Sequence, residues 1–314
     1  MVCKASIRGV FKMELYSPFF DWELDVLQWF SEHRTGFMNV VMQIFNLSGE
    51  VMFFALILPL IYWVFSKRTG LTLSLVIFAS FYINVFLKDL FQVTRPFAAH
   101  PDRITSQFEL HSHSFPSGHA QHSLSFWGLL AALMRVKWLY VAVGCLILLV
   151  GLARVYAGVH YPSDVVTGWA VAIVILGAAH FVHLWLSKHR ISTVVLIALA
   201  VLLPVILLPL YHLVSEAGAD VEGAYQASGL IAFALLGYAW ERGKIRFIIP
   251  EQWGRRIGAF AIGIIGLLII KEGFKLLLPE RYWSDFLRYG LLSLWTIGAA
   301  PWLFVKMRLY KREL

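Results

Sequence analysis

The sequence predicts an all-α fold, a polytopic membrane helical bundle of about nine transmembrane helices, and three observations carry that expectation. First, 59% of the 314 residues are hydrophobic and the mean hydropathy is +0.69; soluble domains hold about 45–50% apolar residues. Second, several apolar runs, such as 193–214, reach the roughly 20 residues that a bilayer-crossing helix needs. Third, most ionisable residues avoid those runs, as expected where a charge in the membrane costs about 2.5–3.5 kcal/mol.

In chain order, residues 20–33 come first, with Trp22, Leu24, Val26, Leu27, Trp29 and Phe30 at helical spacing. They predict a helix lying in the membrane interface, within an N-terminal segment of 1–36. Those first 36 residues lack a continuous apolar core, so no cleavable signal peptide is expected, and Met13 reads as an equally good start. Nine spans follow, at roughly 37–65, 71–92, 119–134, 138–159, 163–186, 193–215, 224–241, 257–278 and 284–305. Ser48-Gly49-Glu50 interrupts the first, the third is short, and Pro204 and Pro209 predict a kink in the sixth. The longest connection is 93–118.

The net charge of +8 suggests membrane orientation in this context, not nucleic acid. Basic residues gather on one side, from Lys67-Arg68, Arg135 and Lys137 through Lys188 and Arg190 to Arg242–Arg246, Arg255-Arg256 and Lys306–Arg312. The other side carries Asp102, Glu109, Glu216, Asp220, Glu222, Glu280 and Asp285. Cytoplasmic loops collect Lys and Arg, so the 93–118 loop is expected to face away from the cytoplasm. The inner C-terminus this implies argues against reading the final Lys-Arg-Glu-Leu as a lumenal retention signal. Two cysteines, Cys3 and Cys145, suggest neither a disulfide framework nor a zinc site.

Three groups of residues depart from the rule that charges avoid the spans. Lys88 and Arg95-Pro96 end the second span; seven residues is close to two helical turns, which predicts that both cations point the same way, as a phosphate would require. Pro116-Ser117-Gly118-His119 opens the third span, where free N–H groups and the positive end of the helix dipole suit an anion. Arg154, His160 and Asp164 form the last group. A carboxylate on one imidazole nitrogen leaves the other as a nucleophile, and a guanidinium adds a planar donor. Each group alone admits another reading: snorkelling of Lys88 and Arg95, a metal site with His111, His113 and His122, or a buried Arg154–Asp164 ion pair. Against a metal, no Cys accompanies the histidines and no carboxylate stands at helical ligand spacing.

Taken together, Lys88-x6-Arg95-Pro96, Pro116–His119 and Arg154-x5-His160-x3-Asp164 resemble the three motifs of the type 2 phosphatidic acid phosphatase superfamily, which includes lipid phosphate phosphatases, glucose-6-phosphatase and vanadium haloperoxidases. Ala153 stands where that family usually has Ser. The resemblance implies a six-helix phosphatase core within 37–189 and metal-independent hydrolysis of a phosphate ester or diphosphate, without a cofactor. It implies His160 as nucleophile oriented by Asp164, His119 as proton donor and then general base, and Lys88, Arg95, Ser117, Gly118 and Arg154 as phosphate-binding residues. The expected substrate is an amphiphilic phosphate entering from the bilayer (a phosphatidate, sphingoid-base phosphate, phosphatidylglycerophosphate or polyprenyl diphosphate). A soluble sugar phosphate, or phosphotransfer at the same site, is the alternative. No nucleic acid and no obligatory protein partner are expected, and the expected location is a cell membrane with the site outside the cytoplasm.

Residues 190–314 add four spans beyond that core. Nine spans with an outer N-terminus are similar to glucose-6-phosphatase and sphingosine-phosphate phosphatases. Lys271, Glu272 and Lys275 end the eighth span. Lys271 and Lys275, with Glu50 near the end of the first, are further candidates for substrate recognition. His180 and His183, at the other end of the fifth span, read as structural.

Overall fold

A computed structural model of the chain describes residues 20–189, 191–215 and 220–313. The alternative start at Met13, Cys3, Arg190, Glu216 and the final Leu314 lie outside the described residues. The described residues are mostly helical. The N-terminal helices are α1 (Trp22–Glu32), α2 (Gly36–Leu47), α3 (Val51–Leu60), α4 (Lys67–Phe91) and α5 (Pro96–Ala99). The short α6 (Gly118–Ser123) and α7 (Leu129–Met134) precede α8 (Lys137–Tyr156), α9 (Pro162–Lys188) and α10 (Thr193–Val214). The chain closes with α11 (Val221–Trp240), α12 (Trp253–Leu277), α13 (Tyr282–Leu294) and α14 (Ala300–Lys306). Two two-residue strands, β1 (Phe247–Ile248) and β2 (Lys311–Arg312), pair antiparallel.

Each of the nine apolar segments is helical. Among the described residues, five helical stretches are long and apolar enough to cross a bilayer: Lys67–Ala99, Lys137–Tyr156, Pro162–Lys188, Thr193–Val214 and Trp253–Leu277. A sixth is the pair Gly36–Leu47 and Val51–Phe65, bent by 49°. Segments 118–134 and 282–306 are divided by π-helical turns at Leu124–Gly128 and Trp295–Ala299. The chain is a membrane protein, and many apolar side chains on these helices, such as Val174, Val194 and Ile269, point outward as lipid-facing residues do.

The described residues form two compact units, and these cut across the sequential division at 36 and 189. The first comprises the chain up to Glu50 and Ile83–Ile175; the second comprises Val51–Tyr82, Leu176–Leu213 and Asp220 onward. Helices α4 and α9 are long enough to contribute one half to each, because membrane helices pack with spatial neighbours regardless of chain order.

In the first unit α1 is amphipathic. Leu27 is fully buried in a cluster with Val93, Ile104, Phe115 and Tyr161, while Trp22 and Trp29 are exposed. Thr35 caps α2 by accepting a hydrogen bond from the Met38 amide at 3.2 Å. The 49° bend at Ser48–Glu50 needs glycine: a Cβ on Gly49 would lie 2.7 Å from the His119 ring. In the second unit α11 and α13 pack through small residues. A Cβ on Gly229 would meet the Phe286 carbonyl oxygen at 2.2 Å. Tyr62 and Trp63 donate to the Ile297 and Thr296 carbonyls, at 3.1 and 2.7 Å, in the π turn between α13 and α14.

Candidate active site

Four segments of the first unit build one polar centre: the end of α4 with residues 92–95, the loop before α6, residues 154–164, and the α2–α3 bend. The expected helical alignment of Lys88 with Arg95 is corrected. Helix α4 ends at Phe91, Gln92 takes a left-handed φ of 54°, and Arg95 is extended at the start of α5. The two cations nevertheless converge on the Ser112–His113 backbone, on either side of the break, and Pro96 restricts its predecessor Arg95 to extended backbone. Lys88 donates to the His113 carbonyl. Arg95 is tied by Nε to the Ser112 carbonyl (2.7 Å), by Nη1 to the Val159 carbonyl (2.9 Å) and by Nη2 to the Ser112 hydroxyl (3.0 Å). Bonds to three acceptors hold the guanidinium plane still.

His160 lies in the turn between α8 and α9, and Asp164 in the first turn of α9. Asp164 Oδ2 accepts from the Tyr161 amide at 2.9 Å and from the Ser114 hydroxyl at 2.5 Å, and it lies 3.2 Å from His160 Nδ1. On the other side of the ring, Arg95 Nη1 is 3.3 Å from His160 Nε2. A guanidinium can only donate, so this contact favours the tautomer with a lone pair on Nε2 and the ring proton on Nδ1, facing Asp164. Burial pushes the His160 pKa well below the usual histidine value, and the charges of Arg95, Lys88 and Arg154 push it the same way. Burial and the surrounding cations thus both favour the neutral imidazole.

Arg154 does not pair with Asp164. Its Nη1 donates to Asn46 Oδ1, and its guanidinium lies over the Phe108 ring at 5.5 Å. Asn46 in turn donates to Glu50 at 3.2 Å, and Glu50 Oε1 stands 3.8 Å from His119 Nε2. Glu50 thus joins the motif residues. Ser117 sits at the start of α6; its amide donates to the Asp164 carbonyl at 3.0 Å. Glycines let the backbones close in: a Cβ on Gly168 would lie 2.6 Å from the Ser117 carbonyl oxygen, and one on Gly118 would lie 2.9 Å from Asn84 Oδ1. Ser117 Oγ, His119 Nε2 and Arg154 Nε are buried without a hydrogen-bond partner among the described residues. Buried polar atoms are almost always paired, so three orphans around one centre mark where a polar ligand would be held.

Among the described residues no group of three or more His, Cys, Asp or Glu is arranged to hold a metal ion. His113 faces Asp89 at 3.9 Å, and burial lowers its pKa. Lys271 and Lys275 belong to the second unit, where they line a different, polar cavity. Sequence reasoning missed Ser112, Ser114 and Asn46. Ser112 and Ser114 lie just before the Pro116–His119 motif, and Asn46 lies four residues before Glu50; only that proximity could have flagged them.

The chain matches the PAP2 superfamily over residues 69–191 and the PAP2 superfamily phosphatase, transmembrane extension, over residues 225–312. It is similar to a dihydrosphingosine 1-phosphate phosphatase of Saccharomyces cerevisiae, at 28% identity over 49% of this chain and 40% of that protein. A probable sphingosine-1-phosphate phosphatase of Dictyostelium discoideum is 26% identical over 74% of this chain and 59% of its own length. Phosphatidylglycerophosphatase B of Bacillus subtilis is 30% identical over 45% of this chain and 73% of its own length. The chain thus spans only 40% to 59% of the first two of these relatives. The two family matches, joined to 30% identity across most of a compact bacterial member, show that the chain belongs to the PAP2 superfamily.

Proposed function

We propose that the protein is an integral-membrane phosphatase that hydrolyses a lipid phosphate through a phosphohistidine intermediate. The observation that carries this reading is the two-sided placement of His160, with Nδ1 3.2 Å from Asp164 and Nε2 3.3 Å from Arg95. A neutral imidazole whose free lone pair faces cations is set to meet an anionic phosphoryl group. Nε2 attacks phosphorus in line; the bond to the leaving oxygen breaks, and His119 supplies its proton. Water then attacks the phosphohistidine while His119 takes the proton back, releasing inorganic phosphate and restoring His160. Lys88, Arg95, Arg154, the Ser117 hydroxyl and the Gly118 amide hold the three equatorial oxygens, where charge is redistributed in the transition state. Glu50 orients His119 and stabilises its protonated form.

The lipid character of the substrate is supported by the relatives, which are named for sphingoid-base phosphates and phosphatidylglycerophosphate. It is supported also by cost: drawing a chain out of the bilayer would take about 0.8 kcal/mol per methylene. The distribution of Lys and Arg supports a site outside the cytoplasm. A cysteine at the exposed Glu109 would then react with an impermeant thiol reagent in intact cells. The deciding experiment compares kcat/KM in detergent for a long-chain lipid phosphate, its short-chain analogue and a sugar phosphate. At least tenfold preference for the long chain is expected. Equal turnover of the sugar phosphate would overturn the lipid reading and leave the phosphohistidine chemistry in place.

A further inference from the structure

The second unit contains two adjoining cavities of opposite character. One, of about 150 Å³, is apolar and is lined by side chains such as Phe54, Phe78, Phe81, Ile264 and Leu268. The other, of about 470 Å³, is polar and lies among the ends of α11, α12 and α13. Its size is in the range of small-ligand pockets. Both cavities are lined by Lys271 and Tyr289. These residue types combine an apolar body with a polar tip and serve where an apolar space meets a polar one.

The charges of the polar chamber are balanced. Arg288 donates to Asp285 and stacks at 5.5 Å over the Tyr289 ring, and Lys271 lies 3.6 Å from Glu272. Two more cations, Lys275 and Arg281, line the same space, and so do two more carboxylates, Glu222 and Glu280. None of the last four has an opposite charge within 4.0 Å among the described residues. The buried hydroxyl of Ser284, which also lines the chamber, has no hydrogen-bond partner there. A purely anionic headgroup would suit a chamber with cations in excess. Charges of both signs without an ionic partner, in a chamber that shares Lys271 and Tyr289 with an apolar slot, suit a molecule that carries both signs and a hydrocarbon chain; Glu222 is held by Gln226, whose amide donates to it at 2.7 Å.

We infer that the second unit holds a lipid-binding site of its own, which takes a zwitterionic headgroup of the phosphoethanolamine type in the polar chamber and an acyl chain in the apolar slot. Lys275 and Arg281 receive the phosphate, Glu222 and Glu280 receive the ammonium, and Phe54 and Leu268 flank the chain. The lipid is a phosphodiester and is bound, not hydrolysed. None of the lining residues belongs to the three motifs.

The test uses the purified full-length protein in detergent. Binding of dioleoylphosphatidylethanolamine, dioleoylphosphatidylglycerol and chain-free glycerophosphoethanolamine is measured by native mass spectrometry and by tryptophan fluorescence, each with and without saturating inorganic phosphate. One phosphatidylethanolamine per chain is expected, bound at least tenfold tighter than phosphatidylglycerol, with no binding of the chain-free headgroup and no effect of inorganic phosphate. Lys275→Glu and Leu268→Trp should each weaken binding at least tenfold; Lys275 is exposed, so its replacement leaves the fold intact. Equal binding of the two lipids, wild-type binding by both variants, or displacement by inorganic phosphate would each overturn the assignment. Because the readout is binding of a diester, it stands or falls separately from the hydrolytic reading above.

Discussion

The two units treat buried charge in opposite ways. In the first, Arg95 and Arg154 are almost wholly buried, yet their hydrogen bonds go to backbone carbonyls, a hydroxyl, an imidazole and an amide, and none to a carboxylate. In the second, the buried carboxylates are matched by cations: Glu241 to Lys67 at 3.0 Å, and Asp285 to Arg288. Breaking a buried pair by removing one partner is costly, whereas a complete pair is close to neutral. A region that keeps guanidiniums on dipoles alone gives up that compensation and retains a positive potential that an incoming anion can satisfy. The contrast teaches that a membrane protein's reactive region is recognised less by how many charges it buries than by which are left for a ligand to complete.

The sharpest way to break this comparison is His160→Ala. Removing the proposed nucleophile should lower kcat by about 10³-fold or more, while size-exclusion behaviour and thermal unfolding in detergent stay near wild type. Substantial phosphate release by the purified variant would sink the mechanism. Next in size is Ser114→Ala, which strips one charge-assisted bond from Asp164 and leaves His160 less firmly oriented. A hydrogen bond to a charged group is worth about 1.5–3 kcal/mol, so a 10- to 100-fold fall in kcat with little change in KM is expected; an unchanged kcat would show that Asp164 needs no such support.

Glu50→Gln keeps the shape of the bend and removes the charge 3.8 Å from His119. A fall in kcat of about tenfold is expected, with an altered pH profile that a purely structural role would not produce. A pH dependence of stability separates the units further. The folded-state pKa of His160 is depressed, so its contribution is present above the unfolded value of about 6.5 and is lost as pH falls below it. Tm should drop between pH 7 and 5, and by less in His160→Gln. The smallest effect on turnover belongs to the second unit: Lys67→Met leaves the buried Glu241 carboxylate without its cation, the lysine itself being 40% exposed. A loss of about 1–3 kcal/mol of stability is expected, with kcat/KM of the detergent-purified variant unchanged.

Much of the first unit is legible in the sequence. The helical segments follow from apolar runs, and the expected position of the three motifs at span ends predicts that they meet. The expectation that failed, helical alignment of Lys88 with Arg95, failed because the helix ends at Phe91 and Gln92 takes a left-handed φ, so the helical period does not reach Arg95. Arg154 shows a different limit. Its sequence neighbourhood offered Asp164 as an ionic partner, but the residue it bonds is Asn46, 108 positions away.

The sequence by itself determined that this chain lives in a membrane, where its helices fall, and which residue types its motifs assemble. Those properties depend on transfer cost and on the 3.6-residue period, both of which act locally along the chain. Tertiary structure alone decided which nitrogen of His160 faces Asp164 and which faces Arg95, that Ser114 and Asn46 support the centre, that Glu50 comes within 3.8 Å of His119, and that Lys271 and Tyr289 line both cavities. Each of these depends on where a bend, a loop or a second helix brings a distant atom to within a few ångströms, and such contacts are set by packing in three dimensions, which no linear pattern records.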